Sequence, residues 1–446
     1  MTRLKTYLHG LSGFALTIFL ALTSFSTYFC MYAFRKPFTA GTFEGVSLWG
    51  IDYKIILVIA QIMGYATAKG LGIKVVSEVT PDKRAKYILC MIGYSELALL
   101  LFALVPAPDN WMFMYLNGLG LGMIYGLVFS YLEGRQITEV LGAGLAVSFI
   151  VSSGLVKTVG RWVVVDLKIN EYWMPFMTGL MFLPLLVISV WLMNNAPKPT
   201  PEDIALRTPR IPMSGKRRVR FVRKYGFGLV SLILIYVLMT VFRDIRDNFS
   251  VEIWKELGVN DATIFSSTEA IIGLAISLLA GLVFFVKNHQ TAFWLNHAFL
   301  IVGSILIVGS TVCFERQILS AFWWTVLMGL GIYLAYVPFN GMLFERLIAV
   351  LHEKANVGFL FYIADFSGYM GSVVILLIKN FSSDHSFSWL GLLIDLAHIL
   401  PFISVILAGI SLFYFSNKLG QKPTLPNSSL FAQVRSRRNS WPLSRV

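Results

Sequence analysis

The stretch Tyr32–Phe38, YAFRKPF, puts Arg35 and Lys36 inside an otherwise apolar block, and Thr240–Phe249, TVFRDIRDNF, does the same for Arg243 208 residues later. That separation is close to half of the 446-residue chain. A charged side chain at membrane depth costs at least ~2.5–3.5 kcal/mol on insertion scales, so it faces protein or a water-filled cavity. Two arginines placed alike in two halves are what a central anion-binding pocket needs. Two blander readings stand beside this one. Arg35 snorkels to an interface, or RDIRD is a neutral structural network in which Asp244 and Asp247 balance Arg243 and Arg246.

The surrounding composition sets the class. The chain is 56% hydrophobic and 14% charged, where a soluble protein carries about 25% charged residues. Its apolar blocks are long enough to cross ~30 Å of hydrocarbon at 1.5 Å per residue. Twelve spans are predicted, with loose ends: 12–41, 51–75, 87–106, 111–132, 138–164, 173–194, 226–251, 262–286, 292–313, 320–344, 355–378 and 390–416. The expected fold is all-α and polytopic. The first block is too long for a signal peptide and lacks a small-residue cleavage site, so it is read as span 1.

The net charge of +13 invites a nucleic-acid reading, which its distribution removes. With the N-terminus inside, 24 of the 37 Lys and Arg fall in inside segments and five in outside loops. That bias is the positive-inside pattern and places both termini in the cytoplasm. Cys30, Cys90 and Cys313 lie in apolar spans without CxxC or metal-type spacing and read as buried small hydrophobes. No cofactor or metal is implied.

Residues 195–225, rich in proline and basic side chains, read as a cytoplasmic linker between a six-span bundle (1–194) and a second one (226–418), with a basic tail at 419–446. The halves match weakly at a steady offset. Asp52 and Asp261, Gly64 and Gly273, and Gly72 and Gly281 are each 209 apart, and Glu133 and Glu345 are 212 apart. Together with the arginines they indicate a duplicated six-helix unit, with substrate bound near the midplane between two parallel halves. The strings GLGLGMIYG (Gly118–Gly126) and GLGIYLAYVPFNG (Gly329–Gly341) lack the strand and Lys-Ser/Thr of a nucleotide loop; they read as close helix contacts.

Ionisable residues inside spans are the informative set. Arg35 and Lys36 have no acid within four residues, and Pro37 and Gly41 permit a bend beyond them. A guanidinium suits phosphate or carboxylate because its planar fork donates bidentately. Lys69 lies in span 2, Lys157 in span 5, Glu269 in span 8 and Asp365 in span 11. If spans 5 and 8 face each other, as do 2 and 11, Lys157–Glu269 and Lys69–Asp365 form pairs that break as a cavity opens. Static pairs are the alternative for each. Glu96, Asp395 and His398 are further buried candidates, Glu96 as a proton site and His398 as packing.

These segments resemble a known family. YAFRKPF looks like the Arg-Lys-x-Phe element of the organophosphate:phosphate antiporter branch of the major facilitator superfamily. GYATAKGLG (Gly64–Gly72) is similar to that branch's glycine–lysine segment in span 2, and VFRDIRDNFSVEIWKELG (Val241–Gly258) to its Arg-led segment in span 7. STEAIIG (Ser267–Gly273) resembles its Glu-led segment, and GIKVVSEVTPDKRAKYIL (Gly72–Leu89) sits where the superfamily's loop 2–3 motif belongs. The resemblance implies that Arg35 and Arg243 bind a phosphoryl group. It implies too that Lys36, Lys69, Asp247 and Glu269 form exchanging salt bridges around the pocket, in a monomer of the cell (inner) membrane. The chain departs at AVSFIVSSGLVK (Ala146–Lys157), where the branch has a substrate-site histidine. It departs also at Ser77-Glu78, where an Asp-Arg pair is usual, and at the extra charges Asp244 and Arg246.

Two functions follow as expectations. One is a secondary transporter of a small anionic metabolite, coupled to phosphate exchange or to protons. The other is a membrane sensor on the same fold, docking a partner through its basic linker and tail. An enzyme has no motif support.

Overall fold

The computed structural model describes residues 3–132, 138–197, 215–284, 286, 288–340, 343–353, 355, 357–381 and 388–420. Glu133, Arg135, most of the linker and nearly all of the tail lie outside them, as do the side chains of Ser77 and Glu78 in the loop 2–3 motif.

Among the described residues twelve helical segments follow one another, eleven of them long and apolar enough to cross a membrane and the other, Thr263–Phe284, with a shorter apolar stretch. The N-terminal half holds Gly13–Tyr32, Tyr53–Glu78, Arg84–Leu104, Trp111–Leu132 (in two pieces), Thr138–Val165 and Met174–Asn194. The C-terminal half holds Gly215–Asn248, Thr263–Phe284, His289–Glu315, Ala321–Tyr336, Val357–Phe381 and Trp389–Gly420. Local chemistry starts several of them: the Asp52 carboxylate caps span 2 by accepting from the Lys54 and Ile55 amides, and Asn288 caps span 9 through Gln290 and Thr291. Phe14, Leu22, Leu274, Ile305, Phe402 and Phe413 stand exposed on the perimeter, an outer surface suited to hydrocarbon rather than water.

Four boundaries differ from the sequence reading. Span 1 ends at Tyr32, and a turn carrying Arg35 and Lys36 leads into a 3-10 helix, Pro37–Ala40. Pro37 has no amide to continue the helix. Span 4 breaks between Leu121 and Ile124, within its glycine string. Span 7 begins at Gly215, so the last part of the expected linker is already helix. Span 10 stops at Tyr336, passes through a 3-10 turn, Val337–Asn340, and is followed by a separate helix, Leu343–Leu351. A two-residue ladder pairs Ser47 with Asp52 and Leu48 with Ile51 across a turn in which Trp49 and Gly50 both have positive φ.

Within the halves, span 2 packs on 4, 9 on 10 and 7 on 12; between them, span 5 packs on 8 and span 2 on 11. Small residues set the closest approaches. A Cβ at Gly64 would strike the Tyr115 carbonyl, one at Gly118 the Gln61 carbonyl, and one at Gly331 would lie 2.6 Å from the Gly303 oxygen. Lipid tails are as apolar as leucine, so close packing of this kind, not water exclusion, holds such helices together.

Candidate functional site

The broken end of span 1 positions the first arginine. The amides of Ala33, Phe34 and Arg35 bond three residues back, to Cys30, Met31 and Tyr32, which tightens the last turn and strands the carbonyls beyond it. Two buried amides receive them. Asn117 Nδ2 donates to the Phe34 oxygen at 2.9 Å, and Gln61 Nε2 donates to the Arg35 oxygen at 2.8 Å. The Arg35 guanidinium then lies over the Tyr65 ring, 4.0 Å from its centre, with Tyr32 at 5.6 Å. Among the described residues it has no carboxylate partner, and its Nε is buried without an acceptor.

Arg243 keeps its place in an intact helix. It donates to Asp244 Oδ1 from Nε (3.1 Å) and Nη2 (2.7 Å), and its guanidinium sits 4.4 Å from the Tyr336 ring. Ser372 holds the other Asp244 oxygen at 2.8 Å. Arg35 and Arg243 line one small hollow of about 60 Å³ between the halves, together with Lys36, Lys69, Asp244, Asp247 and Asp365.

Pairs joining the two halves close the hollow on both sides. Towards the end opposite the chain termini, Asp247 takes Lys36 on one oxygen and Lys157 (2.6 Å) on the other, and Ser153 adds a bond at 2.6 Å. Farther out, Lys54 reaches Glu252 at 2.5 Å and the Thr39 carbonyl at 3.0 Å. Lys54 is 1% exposed and ties spans 1 and 2 to the segment after span 7. Towards the terminal face, Lys69 pairs with Asp365, and Tyr65 meets Tyr369 edge to face. Tyr236 donates to Asp365 at 2.9 Å and shares a 2.9 Å bond with Tyr336.

One expected pair is not formed. Lys157 bonds Asp247, and Glu269 instead accepts from Arg246 Nη1 at 2.7 Å. Span 7 is the reason. Successive residues on a helix point about 100° apart, so Asp247 meets the lysine of span 5 while Arg246 meets the acid of span 8. Glu269 therefore does not line the hollow; with Arg246 and Lys157 it borders a separate void of about 20 Å³. Glycines house that ion pair: a Cβ at Gly329 would lie 2.7 Å from the Arg246 guanidinium, and one at Gly154 2.7 Å from Glu269 Cβ. Of the other candidates, Glu96 is buried against Gly179 of span 6, away from the hollow, and Asp395 is exposed. His398, half-exposed, pairs with Glu315. Cys90 is exposed and Cys313 half-buried, so only Cys30 is a buried thiol.

The aromatic lining has no place in the sequence reading above. Tyr28, Tyr32, Tyr65, Tyr125, Tyr333, Tyr336 and Tyr369 all face the hollow. A signal was present: Tyr65 precedes Lys69, and Asp365 precedes Tyr369, each by four residues and so on one helical face.

The charge balance of the site decides what it can hold. Five basic side chains (Arg35, Lys36, Lys69, Lys157, Arg243) face three carboxylates (Asp244, Asp247, Asp365), which among the described residues leaves two positive charges without a counter-ion. The aromatic faces under both guanidiniums offset only part of this, at ~0.5–2 kcal/mol each.

Comparison with known proteins places the fold. The chain is similar to the crystal structure of a D-xylose-proton symporter with a TM-score of 0.59 and 14% sequence identity, over 89% of this chain and 97% of that one. The chain thus has the major facilitator fold, as a multi-pass membrane protein. No curated protein matches it. The profile of a family described as a Family of unknown function (DUF5690) matches residues 37–418, nearly the whole membrane region, and the chain belongs to that family.

Proposed function

We propose that this protein is a secondary transporter that moves a small phosphorylated metabolite across the cell membrane by alternating access, driven by exchange for phosphate or by protons. The observation that carries the proposal is Arg35: a guanidinium without a carboxylate among the described residues, sharing a hollow with Arg243 where two positive charges lack a counter-ion among those residues. A dianion supplies both charges. The likeness of YAFRKPF, GYATAKGLG and VFRDIRD to the organophosphate:phosphate antiporter branch supports the phosphoryl group as its carrier.

The same geometry suggests how binding moves the halves. Charge-assisted hydrogen bonds contribute ~1.5–3 kcal/mol each, more than the ring contacts they replace, so an anion draws both guanidiniums off their tyrosines. Tyr65 also lies under Lys69, with Nζ 4.8 Å from its centre. Tyr336 reaches Asp365 through Tyr236. Arg35 is thus one tyrosine, and Arg243 two, removed from the Lys69–Asp365 pair that shuts the terminal face. The hollow, at about 60 Å³, is well below the ~300–1,000 Å³ of ordinary ligand sites, so loading requires one set of pairs to open.

The test is counterflow in proteoliposomes loaded with phosphate. Labelled phosphate enters with the unaltered protein and does not enter with Arg35→Lys, which inserts and folds but cannot make the bidentate contact. Full uptake by Arg35→Lys excludes the anion pocket. Phosphate binding without flux points instead to the sensor reading.

A further inference from the structure

We propose that Gln61 and Asn117 are positioning residues of the anion site: two buried amides that hold the broken end of span 1 so that Arg35 is presented to the hollow. This rests on Arg35 being the anion ligand.

Four bonds define the bracket. Gln61 Nε2 donates to the Arg35 carbonyl and to Asn117 Oδ1, both at 2.8 Å; Asn117 Nδ2 donates to the Phe34 carbonyl at 2.9 Å and to the Ser95 carbonyl at 3.2 Å. Both amides are shut away from solvent, at 5% and 0% exposure. At membrane depth a freed backbone group must find a partner within the protein or its cavity, and these two amides supply one. Spans 2 and 4 bring the two amides together because Gly64 and Gly118 let their backbones approach; a Cβ at Gly118 would strike the Gln61 carbonyl. The glycine string of span 4 thereby serves the anion site, beyond its role in packing.

The other half of the repeat supplies an independent check. At the offsets that relate the halves, Gln61 corresponds to Ala270 and Asn117 to Gly329, neither of which has a side-chain donor. None is needed there, because span 7 stays helical through Arg243 and its carbonyls keep their intrahelical partners. The amides occur only in the half whose arginine sits on a break.

A double-mutant cycle separates positioning from simple support, with phosphate binding to the purified full-length protein as the readout. Gln61→Met removes the donors and keeps the length; phosphate affinity is expected to fall by about tenfold, the factor equivalent to ~1.4 kcal/mol. In an Arg35→Lys background the same change has no further effect on binding, because there is no guanidinium left to position. In an Arg243→Lys background it still costs its full factor. Equal, additive losses in both backgrounds overturn the proposal. Where Gln61→Met does not fold, Gln61→Asn, which withdraws the amide by one methylene, runs the same cycle with a smaller loss. If the unaltered protein binds no phosphate, it is the anion-site reading that fails.

Discussion

Asp247 of span 7 is gripped from two directions, by Lys36 at the end of span 1 and by Lys157 of span 5, so one carboxylate joins the C-terminal half to two helices of the N-terminal half. All three side chains are buried. Removing the acid leaves two lysines without a counter-charge, and breaking a buried pair from one side costs ~3–5 kcal/mol. Asp247→Asn is therefore expected to open the side opposite the termini. A cysteine at Ser153, which bonds Asp247 at 2.6 Å, then becomes reactive to a membrane-impermeant thiol reagent. Adding Lys157→Met to Asp247→Asn recovers part of the lost thermal stability; a further loss instead means the two do not act as a pair.

Asp244 has the opposite role. It occupies Arg243 through Nε and Nη2 and so competes with any anion for the same donors. Asp244→Asn keeps the Ser372 contact and removes the competing charge. Phosphate affinity is expected to rise by about tenfold, which is what ~1.4 kcal/mol of released competition gives. Isothermal titration of the two proteins checks this, and unchanged or weaker binding rejects the competition.

How far the sequence carried these conclusions depends on the scale at which each is decided. Fold class and span positions follow from hydropathy over about twenty residues, and among the described residues a helix stands at each expected span. Arg35 and Arg243 were legible because charge at membrane depth is costly wherever it stands. Which acid meets which base was not, since it turns on helix rotation: one step along span 7 separates Arg246, facing Glu269, from Asp247, facing Lys157. Gln61 and Asn117 were invisible for a different reason. An uncharged amide in a span needs no counter-ion, so it raises no question of a partner, and its purpose appears only once the end of span 1 is seen to break.

The hydroxyl of Tyr236 offers a third test. It bridges Tyr336, the ring under Arg243, to Asp365. Tyr236→Phe keeps the buried ring and deletes both bonds, at ~1–3 kcal/mol for the groups left unpaired. Phosphate affinity should stay within about twofold while the exchange rate changes, because the hydroxyl lies between site and pair without touching either guanidinium. A loss of affinity as large as that of Arg243→Lys places Tyr236 in the site itself.

Lys69 and Asp365 close the terminal face from opposite halves, Lys69 on span 2 and Asp365 on span 11. Reversing one of them sets like charges against each other in a buried site. Lys69→Asp or Asp365→Lys alone is expected to abolish phosphate exchange and hold that face open, as read by thiol labelling at Phe361, whose ring lies 5.7 Å from Lys69 Nζ. The double reversal, Lys69→Asp with Asp365→Lys, restores the attraction with its direction exchanged. Recovery is partial, since Lys69 also sits over the Tyr65 and Tyr369 rings and an aspartate there gains no cation–π contact. Exchange restored to roughly a tenth of the original rate or more marks the pair as a latch that must both form and break. If the double reversal is as inactive as either single change, the two charges act separately, and Lys69 serves the anion rather than the closure.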